Sequence, residues 1–421
     1  MNMIMTRTLI LLFISLLSGC SNFMNLSNEI EAINSLTNQY TVTLSEPVVG
    51  SAVIIEQITD INESDIDGYD AIIGGSSIGL QMSNEIHYLL LFEDKNKDLT
   101  LQPDEAFSVI KLDNYQDKDT IQVTLRINEE EIPHAFVNRS LTSLLNIEIN
   151  LVEIGTVVSL TDPPFAKENA ELGMWQPLTF MLNNNTGLYF LSEYDPNKIP
   201  ILFVHGINST AADFTPLIDK IDHSKYQVWV FNYPTGLSLS LISKGLGNFL
   251  YTITSDYNIE QMHIVAHSMG GLVVENYIQQ CSVGNLCKSV NSIATISSPF
   301  GGVSSARQGV EYSPVVMPAW VDLDPDGQFI RTLFNDIGKY QPPHFLLFSY
   351  NSGQLFTTGN NDGVIDLSSQ LSRPAQLHAE QIRGYDESHL SILDNDDLFE
   401  DLSIFWKSTE QSHLQEIELY N

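Results

Sequence analysis

The sequence predicts an α/β fold, in which a mostly parallel sheet flanked by helices follows a small all-β, sandwich-like domain. Short segments of alternating polarity, such as residues 120–127, recur through the first part of the chain. From about residue 188, apolar strands alternate with helical stretches, which is typical of a parallel sheet. Pro163 and Pro164 lie between the two patterns. We therefore assign residues 39–165 to a β-rich domain and residues 166–421 to an α/β domain.

The composition excludes several classes of protein. The chain has 421 residues, of which 43% are hydrophobic and 10% aromatic, so a disordered chain is excluded. Lys and Arg number 19 against 52 Asp and Glu, which gives a net charge of −33. Because binding to phosphate backbones needs clustered cations, no nucleic-acid partner is expected.

The N-terminus carries a targeting pattern. Arg7 precedes an apolar run at residues 9–17, which is too short to span a bilayer and is typical of a signal peptide. Small residues then lead to Cys20, and this ending resembles the lipobox of bacterial lipoproteins. The resemblance implies that residues 1–19 are removed and that acylated Cys20 anchors the protein in the cell envelope, at the outer membrane of a Gram-negative cell. An ordinary secretory signal is the alternative.

Residues 20–38 are polar, and we expect them to form a tether between this anchor and the first domain. Two further cysteines, Cys281 and Cys287, lie close together in the chain. Because an exported protein meets an oxidising compartment, they are expected to form a disulfide, with two free buried thiols as the alternative.

One acidic loop has the spacing of a calcium site. Oxygen-bearing side chains occupy loop positions 1, 3, 5, 7, 9 and 12, namely Asp94, Asn96, Asp98, Thr100, Gln102 and Glu105. The loop resembles EF-hand-like calcium loops, but Leu99 stands where the sharp turn normally has glycine. A structural calcium ion and a solvated acidic hairpin turn both stay open.

A candidate nucleophile follows a buried strand. Residues 262–266 are typical of a buried strand and lead through His267 into Ser268, and small residues then open an apolar helix at residues 272–279. A strand, a sharp turn of small residues and a helix form the setting of a nucleophile elbow, so we predict that Ser268 is the nucleophile. Ala266 replaces the first glycine of the G-x-S-x-G pattern, and Gly270 keeps the last.

A second strand, at residues 199–204, ends in His205, Gly206 and Ile207. With this turn and the elbow, the chain from about residue 172 onward resembles the α/β-hydrolase superfamily, and within it the lipase-like serine esterases. The resemblance implies an oxyanion hole formed by the backbone N–H groups of Ile207 and Met269. It also implies that catalysis needs no cofactor and that His205 and His267 shape their turns.

The general base and the acid should follow the serine in the chain order Ser, acid, His. His389, in a loop before the last helix, fits as the base, and the Asp-Gly-Val step at Asp362 resembles the acid loop of bacterial lipases. Asp366 and Asp336 are the alternative acids. Three other histidines are expected to be surface or core imidazoles: His344, His378 and His413.

These residues predict a surface-anchored serine hydrolase that cleaves carboxylic esters, of lipid or other acyl type, through a Ser-His-Asp triad and an acyl-enzyme. An insertion at residues 302–343, with an apolar stretch at 315–320, is placed where a cap or an ordinary packing helix can lie. The alternatives are an acyltransferase with the same triad and a non-catalytic surface-binding lipoprotein.

Overall fold

A computed structural model describes most of the chain. The described residues are 21–48, 51–57, 66–73, 76–96, 98–127, 132–136, 139, 153–281, 287–334, 341–351 and 360–420. Within these ranges, no helix combines the length and the apolar character needed to cross a bilayer.

The N-terminal domain consists of two small sheets. Its strands are β1 Thr37–Leu44, β2 Ser51–Gln57, β3 Ile66–Ile73, β4 Ser77–Ser83, β5 Tyr88–Asp94, β6 Phe107–Lys111 and β7 Thr120–Val123. One sheet has the order β4-β1-β7 and the other β3-β2-β5-β6, and only the β1–β7 pair is parallel. Alternate residues of both sheets, such as Val42 and Ile54, form one shared hydrophobic cluster. The predicted sandwich-like β domain is therefore confirmed.

The second domain is built on an eight-stranded sheet with the order β15-β14-β13-β12-β10-β11-β9-β8. Its strands are β8 Glu153–Val157, β9 Gly187–Phe190, β10 Ile199–Val204, β11 Tyr226–Asn232, β12 Met262–His267, β13 Val290–Ile296, β14 His344–Tyr350 and β15 Gln381–Asp386. All neighbouring pairs are parallel except β9–β11. Helices cover both faces, so the central strands β11 and β13 are buried along their whole length. The mostly parallel α/β sheet is confirmed.

Helices cover this sheet on both faces. Their bounds are α1 at residues 21–36, α2 Lys167–Trp175, α3 Pro177–Leu182, α4 Thr215–Ile218, α5 Leu239–Asp256, α6 Met269–Cys281, α7 Ser304–Tyr312, α8 Pro318–Leu323, α9 Gln328–Thr332, α10 Leu367–Gln370, α11 Arg373–His378 and α12 Asp396–Tyr420. Leu246 of α5 and Val273 of α6 belong to the core cluster on one face, and Trp406 of α12 to the cluster on the other. Helices α7, α8 and α9 lie in the insertion at residues 302–343, for which the sequence left a cap and an ordinary packing helix open.

Two boundary predictions were wrong. Residues 21–36 form helix α1, not a tether, and Leu26 in this helix is fully buried. The spacing of Phe23, Leu26, Ile30 and Ile33 puts apolar side chains on one helix face, which packs on the α/β domain. Strand β8 lies before the predicted boundary at residue 165, yet it pairs with β9 in the large sheet. It is an edge strand with little buried surface, so its pattern does not identify the domain it joins.

The two domains share a buried ion cluster. Lys244 Nζ on α5 lies 2.7 Å from Glu56 Oε1 and 3.2 Å from Asp70 Oδ2 in the β domain. Burial lowers the pKa of Lys244, but the two carboxylates outweigh it and raise this pKa above its usual value. Lys244 is therefore cationic, and removing it would leave buried carboxylates without a partner.

The two remaining cysteines form the expected disulfide. Cys281 is the last residue of α6, and its Cα lies 5.4 Å from that of Cys287. Both side chains are buried in the core of the α/β domain.

Candidate active site

Ser268 occupies a strained turn between β12 and α6. Its φ of +54° lies in the left-handed region, which non-glycine residues seldom adopt. The Ser268 N–H donates to the carbonyl of Ile296 at 2.8 Å, and helix α6 begins at the next residue, Met269. Such strain persists where the surrounding structure enforces it, as at the sharp turn of a nucleophile elbow.

Small residues let α6 approach the end of β10. A Cβ atom on Gly270 would lie 2.4 Å from the carbonyl oxygen of Val204 and 2.5 Å from that of His205. Ala266 is fully buried within β12, so its methyl group is accommodated in the core. Its departure from the G-x-S-x-G pattern is therefore compatible with the sharp turn.

Asp362 and His389 form a buried acid–base pair. His389 Nδ1 lies 2.7 Å from Asp362 Oδ2, and the His389 backbone N–H donates to the Asp362 carbonyl at 3.0 Å. Both residues are buried. Because a carboxylate accepts the Nδ1 proton, Nε2 is the nitrogen left to accept another proton.

The carboxylate of Asp362 accepts further hydrogen bonds. Its donors besides His389 are the N–H groups of Val364 (2.9 Å) and Ile365 (2.7 Å), Ser349 Oγ (2.7 Å) and Gln370 Nε2 (3.1 Å). Burial by itself raises the pKa of Asp362, but the hydrogen bond and charge of His389 and the other donors lower it below its usual value. Sequence reasoning missed Ser349 and Gln370. Ser349 is a polar residue near the end of an apolar strand, which is a signal that could have identified it.

His267 connects the elbow with the loop of the base. Its Nε2 donates to the His389 carbonyl at 2.8 Å, and the two ring centroids lie 4.7 Å apart. Burial, together with His389, lowers the pKa of His267 to about 3, so this imidazole is neutral. The structure describes both Ser268 and His389 and has no hydrogen bond between Ser268 Oγ and the His389 ring. In apo enzymes this contact often tightens only when substrate binds.

The predicted oxyanion donors, Ile207 and Met269, belong to two turns next to Ser268. A Cβ atom on Gly206 would lie 2.8 Å from Ser268 Cβ, so the turn that carries Ile207 runs against the serine. Met269 opens α6, where the first N–H groups have no partner four residues earlier in the helix. Both backbone N–H groups thus belong to the turns that meet at Ser268.

His205 shapes the first of these turns. Its Nδ1 donates to the Gly206 carbonyl at 2.9 Å, its Nε2 accepts the Tyr233 N–H at 3.4 Å, and its ring stacks on Tyr233 at 4.3 Å. Burial lowers the pKa of His205 to about 4, so it is neutral. Thr235 Oγ1 accepts the N–H of Asn208 at 3.2 Å and so supports the residue after Ile207.

The other candidate acids and histidines from the sequence lie outside the described residues or make other contacts. Asp366 is exposed and precedes α10, and its backbone carbonyl accepts the N–H groups of Ser369 and Gln370 in that helix. Asp336 and the side chain of His413 lie outside the described residues. His344 is buried at the start of β14, where Nε2 lies 2.8 Å from Thr295 Oγ1 and Nδ1 lies 3.0 Å from Glu275 Oε1.

The acidic loop fits part of the calcium pattern. Leu99 has a φ of +55°, so it adopts the conformation for which glycine is usual, and its N–H donates to Asp94 Oδ2 at 3.1 Å. Asp94 and Glu105, the first and last candidate ligands, are buried, and burial raises the pKa of Glu105. The four candidates between them are Asn96, Asp98, Thr100 and Gln102. In the part of the chain that the structure describes, no three His, Cys, Asp or Glu residues converge as a metal site, and calcium binding stays a prediction.

The strand order and the elbow at the end of β12 define an α/β-hydrolase fold. Residues 199–324, which run from β10 through the elbow into α8, match the family described as alpha/beta hydrolase fold. This part of the chain therefore has the α/β-hydrolase fold that the sequence resemblance implied.

Several solved structures are similar to this chain. Lipase BlEst2 of Bacillus licheniformis has a TM-score of 0.40 and 15% identity, over 52% of this chain and 94% of the lipase. Aspergillus fumigatus lipase B has a TM-score of 0.39 and 16% identity, over 50% of this chain and 54% of its own. Esterase RhEst1 from a Rhodococcus species has a TM-score of 0.36 and 13% identity, over 53% and 94%. No curated protein matches the chain significantly.

Proposed function

We propose that this protein is a serine hydrolase that cleaves carboxylic esters of lipid or other acyl type, with Ser268 as nucleophile, His389 as general base and Asp362 as the acid that orients it. One observation carries the proposal. The strained Ser268 turn lies beside a buried Asp362–His389 pair, and His267 bonds the two loops together. An α/β-hydrolase fold offers this arrangement at the carboxyl ends of its strands.

The chemistry follows from these positions. His389 Nε2 takes the proton of Ser268 Oγ as the oxygen attacks the ester carbonyl, and the imidazolium then protonates the departing alcohol. The oxyanion of the tetrahedral intermediate accepts hydrogen bonds from the N–H groups of Ile207 and Met269. Loss of one such donor typically costs about 3–4 kcal/mol of transition-state stabilisation.

The second half of the reaction uses the same groups. His389 removes a proton from water, which attacks the acyl-enzyme and releases the acid together with free Ser268. Asp362 stays ionised throughout and stabilises the His389 cation, in agreement with its lowered pKa.

We further propose that the enzyme is attached to the cell envelope through acylated Cys20, at the outer membrane. The short apolar run and the small residues before Cys20 support this location. Because one acyl chain binds membranes only marginally, several chains on Cys20 would be needed for stable attachment.

Hydrolysis of nitrophenyl esters from acetate to palmitate tests the activity, with Ser268→Ala as the matched variant. We expect turnover by the parent protein, loss of turnover in the variant, and fluorophosphonate labelling of the parent alone. Equal turnover by both proteins would reject Ser268 as nucleophile. Labelling at Ser268 without hydrolysis would favour acyl transfer to an alcohol, and absence of both in folded protein would favour a binding role.

A further inference from the structure

Helix α1, at residues 21–36, is an integral part of the catalytic domain. Leu26 is fully buried in the same hydrophobic cluster as α5 and α6. The Glu29 carboxylate accepts hydrogen bonds from the Thr179 N–H at 3.0 Å and from Thr179 Oγ1 at 2.5 Å. Apolar packing and these hydrogen bonds hold helix α1, which directly follows Cys20 in the chain, against the domain.

The first turn of α1 lies beside the predicted cap. The ring of Phe23 packs edge-to-face on Trp175 at 5.3 Å, and Trp175 packs in the same way on Trp320 at 6.1 Å. Trp320 belongs to α8, within the insertion that follows β13. The start of α1 is therefore two ring contacts away from the cap.

A second series of contacts leads to the oxyanion turn. The Gly236 N–H donates to the carbonyl of Gly173, two residues before Trp175, at 3.0 Å. Its neighbour Thr235 accepts the N–H of Asn208, which follows Ile207. Helix α1 and the reacting groups therefore lie near the same end of the sheet.

Large apolar side chains are exposed around this end. We give the name interfacial face to the three residues Met24, Val364 and Leu390, which are 67%, 62% and 57% exposed. Val364 lies in the acid loop, Leu390 follows His389 in the chain, and Met24 follows Phe23. Scattered apolar residues are normal on a protein surface, but these border the site and the first turn of α1.

We propose that the interfacial face lies on the bilayer that holds acylated Cys20, and that the site acts on ester lipids of that same membrane. This inference rests on the proposed function. Two residues, Ser21 and Asn22, separate Cys20 from Phe23, and three residue-to-residue steps of extended chain span at most about 11 Å. The anchor and the entrance to the site are therefore held close to the same surface.

The net negative charge of the protein opposes binding to an anionic membrane without the anchor. A net charge of −33 repels an anionic membrane, and this repulsion decays over a Debye length of about 8 Å at physiological salt. The unanchored protein should therefore not concentrate on such a membrane by itself. Attachment through Cys20 makes the encounter with membrane lipid intramolecular and overcomes the repulsion.

The test compares acylated full-length protein in vesicles with the non-acylated chain beginning at Ser21. The vesicles contain phosphatidylethanolamine, phosphatidylglycerol and a fluorogenic ester phospholipid, and a soluble nitrophenyl ester is the second substrate. We expect equal turnover of the soluble ester and about 100-fold faster hydrolysis of the phospholipid by the anchored protein, through its raised effective concentration. The gain should vanish when protein and phospholipid are in separate vesicles.

Orientation is tested with a matched pair of exposed residues. Met24→Glu in the acylated protein should slow phospholipid hydrolysis about tenfold, equivalent to about 1.4 kcal/mol, and leave soluble-ester turnover unchanged. Leu377→Glu should change neither rate. Leu377 is 74% exposed on α11, and this helix ends near the amino end of β14, because the Glu380 N–H donates to the His344 carbonyl at 2.8 Å.

The outcomes separate this inference from the proposed function. Equal phospholipid hydrolysis by anchored and soluble protein, or equal losses in Met24→Glu and Leu377→Glu, would overturn the inference while soluble-ester turnover upholds the esterase. Absence of soluble-ester turnover in folded protein would overturn the proposed function, and the inference with it.

Discussion

Replacing Gly270 by alanine tests whether close contact between α6 and β10 positions the reacting groups. The added Cβ atom would lie 2.4 Å and 2.5 Å from the carbonyl oxygens of Val204 and His205, whereas real Cβ atoms essentially never approach within 3.0 Å of another heavy atom. Backbone carbonyls cannot rotate away as a flexible side chain can. The helix and the strand must therefore separate by roughly half an ångström or more, since close-packed interiors transmit such strain.

That separation moves Ser268 and Met269 relative to Ile207. Because a misplacement of about 1 Å can cost about 100-fold in rate, we expect kcat/KM for a nitrophenyl ester to fall by about 10- to 100-fold in Gly270→Ala. Overpacking should also lower the free energy of unfolding by about 1–3 kcal/mol. Initial rates and denaturant melts on the same preparation measure both effects.

Gly245→Ala is the matched control. A Cβ atom on Gly245 would meet no atom within 4 Å, and the residue lies inside α5. Because glycine inside a helix is less favourable than alanine, this change should stabilise the protein by about 0.5–1 kcal/mol and leave kcat/KM unchanged. Parent-like kcat/KM in folded Gly270→Ala, or an equal loss in Gly245→Ala, would refute the positioning argument.

Three further predictions concern charge and metal. Asp362→Asn should lower kcat by about 10⁴-fold, because an amide cannot stabilise the His389 cation. Asp366→Asn, at an exposed site, should leave ester turnover unchanged. Similar losses of turnover in both variants would argue against Asp362 as the acid. Burial raises the pKa of Glu275 from 4.5 to about 8, so its contribution to stability is present below pH 4.5 and is lost as the pH rises through about 8. Thermal melts should therefore show that Glu275→Gln gains stability relative to the parent between pH 5 and 8, and a constant difference would contradict this. Calcium should raise the melting temperature of the parent but not that of Asp94→Asn, and identical parent melts in calcium and in chelator would exclude the site.

The α/β half of the fold could be predicted because its signals are local. Strands buried on both faces, such as β10, consist mainly of apolar residues, and helices alternate with them along the chain. Ser268 stands between such a strand and a helix that starts with small residues, so its place at a strand end follows from its neighbours. The Asp362–His389 bond joins residues 27 positions apart, and only chain order and family resemblance pointed to it.

The remaining features depend on contacts between distant segments. Helix α1 has an apolar face, but the surface that buries Leu26 comes from residues far along the chain, so the segment's polar character suggested a tether. Gln370 meets Asp362 only because α10 folds back beside the end of β14. A glutamine in a short polar helix carries no sequence signal of such a contact.

Three histidines lie at the site, and their hydrogen-bond partners indicate different roles for them. His205 and His267 direct ring protons to backbone carbonyls, and burial keeps both rings neutral. A carbonyl dipole cannot compensate the full charge that an imidazole gains when it accepts a proton from a nucleophile. His389 is the histidine of this group whose Nδ1 faces a carboxylate, that of Asp362. Because this arrangement can stabilise a transient cation and a backbone carbonyl cannot, we propose His389, and neither His205 nor His267, as the general base.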